Sequence, residues 1–249
     1  MNQYYLENIT KFNTERILKF GNFIREIPEH NNLSFKWLNE VEKSKIEHKT
    51  FQKNTSSNLN IFNFFQINEV KHSELLAFLL NPYDIHGQDD LFLKLFLNYI
   101  GIKPILNEKW RVQCEIDRVD IMLICNNPFS RIIIENKSNY ANDQPNQLYR
   151  YWFYQIYNST SIENSNILKE RIRIFYLTPH EEKNYVDDSI TRPNYFPNHL
   201  PEKIPMAIEK LTFKNDISNI INLSLSKINQ ENVRLKEYLI QYKSLIENL

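Results

Sequence analysis

Three charged residues in two neighbouring strand-like segments have the spacing of a metal-dependent reaction site. In the segment RIIIENK, residues 131–137, Glu135 and Lys137 are two positions apart, so their side chains project from one face of a strand, while Asn136 projects from the other. Asp120 stands near the start of the preceding apolar segment, VDIMLIC. An antiparallel hairpin that turns at Asn127 and Pro128 would place Asp120 opposite Glu135.

Two carboxylates that face each other across a strand pair repel unless a cation lies between them. Carboxylate oxygens, together with water and phosphate oxygens, suit Mg²⁺ or Mn²⁺. The cysteines and histidines do not have the spacing of a zinc site. Gln147 and Tyr151 follow at a helical spacing of four and so share one helix face. We interpret these residues as candidates for one reaction site.

The segments that would position these residues alternate between helix and strand patterns. Ile132 to Ile134 is apolar on both faces, which is typical of a strand covered by helices on each side. The sequence predicts helices over residues 73–80, 89–100, 142–157, 216–227 and 231–248, and strands over residues 110–116, 119–125, 131–137 and 171–177. A helical pattern at 17–27 precedes the polar stretch 43–60, predicted to be a long loop or a frayed helix end, and 181–205 is predicted to be a loop. This order predicts an α/β core with helical flanks.

The motifs together resemble the PD-(D/E)XK nuclease superfamily. Asp120 and the run from Glu135 to Lys137 match its acidic and lysine positions, although Val119 stands where the family name has proline. The Gln-x-x-x-Tyr element is similar to that of the RecB-like exonuclease branch. The upstream segments HSELLAFLLNP and HGQDDLFLKLFL resemble a bacterial branch of unassigned biology. The resemblance extends over residues 72–178, with a weaker likeness at the C-terminus.

This resemblance implies a restriction-endonuclease-like fold, with a mixed central β-sheet flanked by helices and with helical N- and C-terminal additions. The expected organisation is a single domain over residues 1–249, made of a helical extension (1–67), a catalytic core (68–180) and a loop with C-terminal helices (181–249). The implied activity is that of a Mg²⁺-dependent (or Mn²⁺-dependent) deoxyribonuclease that leaves 5′-phosphate ends. Its expected setting is bacterial defence, restriction or DNA processing.

The resemblance also implies a role for each candidate residue. Asp120, Glu135 and the backbone carbonyl of Asn136 would hold the metal. Either Glu69 or His72, from the first helix of the core, would complete its ligands. Lys137 would orient the attacking water or stabilise the transition state. Gln147 and Tyr151 would support the lysine or contact the nucleic acid backbone.

Several alternatives stay open at the sequence level. The Glu135 and Lys137 pair also fits a solvated surface hairpin, and His72 at the start of an apolar helix also fits a cap or a core hydrogen bond. Glu69 near a helix N-terminus is favoured by the helix dipole without any metal. The main functional alternative is an inactive nucleic-acid-binding or assembly module that keeps the fold, and RNA stays open as a substrate.

The composition restricts the partners that we expect. The 249 residues carry 30 Lys and Arg against 30 Asp and Glu, so the chain lacks the overall positive charge typical of nucleic-acid-binding proteins. We therefore expect a locally basic surface, a homo-oligomer or a partner protein to assist DNA binding. Only 3 residues are glycine and no Gly-rich phosphate loop is present. The sequence has only two cysteines, which suits a reducing compartment. It has no signal-peptide pattern and no apolar run long enough to span a bilayer, so we expect a cytoplasmic protein that does not enter a membrane.

Overall fold

A computed structural model describes residues 31–139, 141–159 and 169–249 of the chain. The chain divides into two compact units, Met1–Phe65 and Gln66–Leu249. The described part of the first unit contains helix α1 (Asn31–Thr55) and a short 3₁₀ turn (Ile61–Phe64). All candidate site residues belong to the second unit, and the assignment of the whole chain to a single domain stays a prediction.

The second unit contains five helices and five strands among its described residues. In chain order they are α2 (Glu69–Leu80), α3 (Leu91–Tyr99), β1 (Trp110–Ile116), β2 (Val119–Asn126), β3 (Phe129–Asn136), α4 (Gln147–Tyr151), β4 (Ile172–Thr178), β5 (Ile208–Thr212), α5 (Ser218–Lys227) and α6 (Val233–Ile246). Two π-helical segments adjoin these helices, at Trp152–Tyr157 after α4 and at Phe213–Ile217 before α5. Every helix in the described ranges is too short or too polar to cross a lipid bilayer.

The five strands form one mixed sheet in the order β1-β2-β3-β4-β5. Strands β1, β2 and β3 are antiparallel neighbours, whereas β3, β4 and β5 run parallel. Strand β3 is therefore the central strand, where the antiparallel half meets the parallel half. Together with the flanking helices, this sheet confirms the predicted α/β architecture.

The predicted hairpin register between β2 and β3 is confirmed. Ile121 pairs with Ile134 and Asn126 pairs with Phe129, on either side of the turn at Asn127 and Pro128. Continued by one position, the same register places Asp120 opposite Glu135. A shift of one residue would have moved every side chain of the strand to the other face.

Both faces of β3 are covered, as the apolar run of the strand predicts. Ile132, Ile133 and Ile134 are all fully buried. On one face, a buried cluster joins Ile133 to Leu148 and Trp152 of the α4 segment. Glu135 shares this face with Ile133 because alternate residues of a strand project to the same side.

Helix α2 begins earlier than the sequence pattern predicts, because Asn68 caps it. The Asn68 side chain accepts a hydrogen bond from the backbone N–H of Lys71, which is a common N-cap arrangement. Helix α2 thus starts at Glu69 rather than at 73 and ends at Leu80 as predicted. Helix α3 covers Leu91–Tyr99 of the predicted range 89–100.

Helix α1 corrects one prediction. Residues 43–55 are part of a continuous helix, so the loop alternative for the polar stretch 43–60 is wrong over that range. The stretch has no apolar stripe to reveal the helix, but it is rich in helix-forming Lys and Glu. Lys43 and Glu47 form a pair four residues apart, with 3.9 Å between the Lys43 Nζ and Glu47 Oε1 atoms. The predicted helical pattern at 17–27 lies outside the described residues.

Other predicted elements also differ from the structure. The helix predicted over 142–157 starts only at Gln147, after Pro145 and a left-handed Asn146 with φ of 57°, and it becomes π-helical from Trp152. Strand β5 is absent from the prediction, because IEKLT is short and only half apolar. The predicted C-terminal helices at 216–227 and 231–248 are observed as α5 and α6, with slightly later starts.

The two arginines of the β4 region allow a test of which ion pair stabilises this sheet. Arg171 is only 2 % exposed, and its guanidinium pairs with Glu108 and donates to Ser130 Oγ at 2.8 Å and to Lys103 O at 3.0 Å. Arg173 pairs with Glu209, but both side chains are partly exposed to solvent. Breaking a buried pair leaves a charge without compensation, whereas an exposed pair contributes little.

We expect Arg171→Met to lower the free energy of unfolding by about 3–5 kcal/mol, and Arg173→Met to lower it by no more than about 1 kcal/mol. Urea unfolding followed by fluorescence measures both values, with similar m-values as the check that the unfolding transition is unchanged. Equal losses for the two variants would contradict the assigned role of Arg171.

Candidate active site

Strands β2 and β3 bring two carboxyl groups to the same end of the sheet. Asp120 lies at the start of β2, and its Oδ2 atom accepts a hydrogen bond of 2.6 Å from the backbone N–H of Asn136. Glu135 lies one residue before the end of β3 and is 1 % exposed. The hydrogen bond to the backbone of β3 thus holds the Asp120 carboxyl beside that of Glu135.

The pKa values of the two carboxyl groups show that burying them together is destabilising. Burial, together with the neighbouring Glu135, raises the pKa of Asp120 to about 8 against the opposing Asn136 hydrogen bond. Burial also raises the pKa of Glu135, although Lys137 opposes that rise. Both shifts disfavour the doubly ionised pair, because two buried like charges destabilise each other.

Lys137 lies directly beside this pair. Its Nζ atom is 2.6 Å from Glu135 Oε1, 3.4 Å from Gln147 Oε1 and 3.8 Å from Asp143 Oδ1. Burial alone would lower the pKa of Lys137, but the surrounding carboxyl groups outweigh burial and raise it. The side chain is therefore a fixed cation within the site. Just past the strand end, its backbone N–H still donates to Leu177 O at 2.8 Å, which aligns the residue with β4.

Gln147 and Tyr151 share one face of α4, as their spacing predicts. Gln147 Nε2 donates to the Tyr151 hydroxyl at 2.8 Å, while Gln147 Oε1 faces Lys137. The Tyr151 hydroxyl in turn donates to the backbone carbonyl of Arg118 in the β1–β2 turn. This chain of contacts connects Lys137 to the turn that precedes Asp120.

Asp143 is part of the site but was not predicted from the sequence. Its side chain is buried and accepts hydrogen bonds of 2.8 Å from the Tyr176 hydroxyl and from the backbone N–H of Val186. It thereby places a second carboxyl near Lys137 Nζ, at 3.8 Å. The polar segment around Asp143 matches no motif, and only the fold brings it to the lysine, so the sequence carries no signal for it.

Asn136 connects the site to α2 through the opposite face of β3. Its Nδ2 group donates to Glu69 O at 2.8 Å and to Ser73 Oγ at 3.0 Å. Its side chain thus points away from Glu135, as the strand alternation predicts, and fixes the first turn of α2 against the strand. Its predicted use of the backbone carbonyl as a metal ligand stays a prediction.

The two predicted α2 ligands have other surroundings. Glu69 Oε1 accepts a hydrogen bond of 3.3 Å from the backbone N–H of Asn139. His72 is buried with its ring 5.4 Å from that of Phe213, and burial lowers its pKa to about 4, so the imidazole is neutral at pH 7. Within the described ranges, no three Asp, Glu, His or Cys side chains are grouped to hold a metal ion. A ligand role for either residue therefore stays a prediction.

The carboxyl pair nevertheless fits a divalent cation. Glu135 Oε2 is buried and has no hydrogen-bond partner among the described residues. A buried oxygen of this kind is costly to leave without a partner. A hard cation bound between Asp120 and Glu135 would coordinate it and would also relieve the repulsion within the pair.

The sequence comparison assigns this site to a family. The family model of the PD-(D/E)XK nuclease superfamily matches residues 59–244, which include every candidate site residue. No curated protein and no solved structure matches the chain. The match spans most of the sequence and agrees with the mixed sheet and with the acidic pair beside Lys137. The chain belongs to the PD-(D/E)XK nuclease superfamily.

Proposed function

We propose that this protein is a metal-dependent nuclease that hydrolyses phosphodiester bonds of DNA. The observation that carries the proposal is the buried pair of Asp120 and Glu135 with Lys137 Nζ 2.6 Å from Glu135. Two adjacent buried carboxyl groups are costly for a protein that has no cation to bind, since burial raises the pKa of both and Glu135 adds to the rise at Asp120. Membership of the superfamily supports the same reaction class.

The metal-binding residues in this proposal are Asp120, Glu135 and the backbone carbonyl of Asn136. Mg²⁺ or Mn²⁺ held there would supply a water of lowered pKa and positive charge near the scissile phosphate. The hydrogen bond from the backbone of Asn136 keeps Asp120 in position for this task. Of the two proposed α2 ligands, Glu69 is connected to the end of β3 by hydrogen bonds from Asn136 and Asn139.

Lys137 acts in this proposal as a fixed positive charge at the reacting phosphate. Preorganised charges of this kind stabilise the developing negative charge of a transition state without further reorganisation. Gln147 restrains the ammonium through its Oε1 atom, and Tyr151 restrains Gln147 through its hydroxyl. Hydrolysis that breaks the bond to the 3′ oxygen would leave 5′-phosphate ends. Bacterial defence or DNA processing is the setting that we propose for this activity.

The central test is cleavage by purified protein of linear, circular and single-stranded DNA, and of RNA, in Mg²⁺, in Mn²⁺ and in EDTA. We expect cleavage of DNA in either metal and none in EDTA. Glu135→Gln and Lys137→Ala should each lower the initial rate by about 10²–10³-fold, the usual cost of removing a transition-state contact.

Lys94→Ala is the matched control for these variants. Lys94 forms a surface pair with Asp90, with 2.8 Å between Nζ and Oδ2, and takes no part in the site. Its rate should equal that of the parent. If the parent cuts none of the substrates, or if Glu135→Gln and Lys137→Ala cut as fast as the parent, catalysis by this site is refuted and the inactive binding module gains support.

A second prediction concerns the stability cost of the carboxyl pair in metal-free protein. The pKa of Asp120 is raised from 3.8 to about 8, so the folded state retains a proton that the unfolded state releases. This bound proton stabilises the folded state fully below about pH 4, and the stabilisation is lost as pH rises through about 8. Asp120→Asn removes this titration and keeps a side-chain oxygen to accept the Asn136 hydrogen bond.

In EDTA, we expect Asp120→Asn to have a higher Tm than the parent, by on the order of 5 °C at alkaline pH. The difference in Tm should grow between pH 5 and pH 9. Added Mg²⁺ should raise the Tm of the parent more than that of the variant. Thermal unfolding over this pH range measures both effects, and a Tm difference that is constant or shrinks with pH would contradict the assigned environment of Asp120.

A further inference from the structure

A second feature of the molecule adjoins the candidate site on the far side of Tyr151. It is an open cleft of about 650 Å³ between the β1–β2 turn, the α4 segment and the loop before β5. We call it the tyrosine groove. Its lining residues are Asp117, Arg118, Arg150, Tyr151, Tyr154, Gln155 and Tyr195.

The tyrosine groove adjoins the reaction site through Tyr151. The ring of Tyr151 lines the groove, while its hydroxyl accepts the hydrogen bond from Gln147 that faces Lys137. A polymer bound in the groove would therefore lie beside Tyr151, whose partner Gln147 faces Lys137.

Two tyrosine rings of the groove are unusually open to solvent. Tyr195 is 72 % exposed and Tyr154 is 52 % exposed. Both rings contact the buried ring of Phe196 edge-on, at centroid distances of 5.1 Å and 5.9 Å. Phe196 thus supports both rings, and their exposed faces are available for stacking without rearrangement of the core.

The backbone of the groove wall has a rare conformation. Tyr154 and Gln155 lie in the π-helical segment Trp152–Tyr157, which directly continues α4. Such segments are uncommon and are often found at functional sites, because the wider turn redirects the side chains that follow. The π-helical segment therefore provides a second observation, independent of exposure, that this wall is specialised.

The charges of the groove suit a polyanion at short range. Arg118 and Arg150 outnumber the one carboxylate, Asp117, which lies 3.5 Å from Gln155 Nε2. Arg150 is held in place by a hydrogen bond of 2.6 Å from its guanidinium to Pro145 O. Arginines pair with phosphate oxygens and also stack on bases, so the lining offers partners for both parts of a nucleotide.

We propose that the tyrosine groove binds an unpaired DNA strand and guides it to the site beside Lys137. The cleft volume is in the range of sites that hold one small ligand, which corresponds to about one or two nucleotides. Only unstacked bases present free faces to tyrosine rings, so a continuous duplex cannot use them. The inference rests on the proposed nuclease function and specifies its substrate as single-stranded DNA or the frayed end of a duplex.

Binding without cleavage tests this proposal directly. The full-length protein in EDTA is titrated into a fluorescein-labelled single-stranded oligodeoxynucleotide, into a blunt hairpin duplex and into an RNA strand of the same sequence, and fluorescence anisotropy is recorded. The single strand should bind clearly tighter than the duplex. Tyr154→Ala and Tyr195→Ala should each weaken single-strand binding by about tenfold.

Three further variants make the test specific. Tyr154→Phe and Tyr195→Phe keep the stacking face and should bind within about twofold of the parent. Tyr83→Ala removes an equally open ring, 70 % exposed, from a different cleft and should bind as the parent does. Arg118→Gln should reduce the slope of log K against log salt by about 0.7, the value for one phosphate contact on a single strand.

The outcomes separate this proposal from the nuclease function on which it rests. Single-strand binding that depends on both tyrosines, without cleavage in any metal, supports the groove and refutes hydrolysis. Metal-dependent cleavage with unchanged binding in Tyr154→Ala and Tyr195→Ala supports hydrolysis and refutes the groove. Duplex binding equal to single-strand binding, or no binding at all, also refutes the groove. Tyrosine-dependent binding that is tighter for RNA supports the groove and corrects the proposed substrate to RNA.

Discussion

The placement of two carboxyl groups and one ammonium at the buried end of β3 is the constraint on which the rest of the site depends. Glu135 is almost fully buried, Asp120 is held beside it by the backbone of Asn136, and Lys137 neutralises part of their charge. Burial raises the pKa of both acids, and the charge of Glu135 adds to the rise at Asp120, so the metal-free arrangement is destabilising. The surrounding sheet must therefore be stable enough to hold the three groups in place.

The fold meets this demand by making the strand that carries the site its central strand. Strand β3 pairs antiparallel with β2 and parallel with β4, so it has a neighbouring strand on each edge. Its alternate residues contact different elements on the two faces of the sheet. Glu135 faces the α4 side with Lys137, whereas Asn136 faces α2 and fixes its first turn through Glu69 O and Ser73 Oγ. The alternation of one strand thus positions elements on both sides of the sheet.

Much of this arrangement can be predicted from sequence, because it depends on local pattern. The turn at Asn127 and Pro128 sets the hairpin register, and the register alone places Asp120 opposite Glu135. Features that depend on distant contacts cannot be predicted in this way. Asp143 reaches Lys137 only because Tyr176 and Val186 hold it there. The short strand β5, the π-helical turn after α4 and the polar helix α1 likewise lack an apolar period that would reveal them.

The neutral composition of the chain is consistent with nucleic acid binding once the distribution of its charges is considered. Equal numbers of acidic and basic residues limit the long-range attraction of DNA, but they do not limit contacts at short range. Here the acidic residues include Asp120 and Glu135, whose charge a bound cation would offset, and the groove beside them offers arginines and open tyrosine rings. Stacking on tyrosine depends little on salt or net charge, unlike phosphate pairing. A chain of zero net charge could therefore select a strand by its exposed bases, as we propose for the groove.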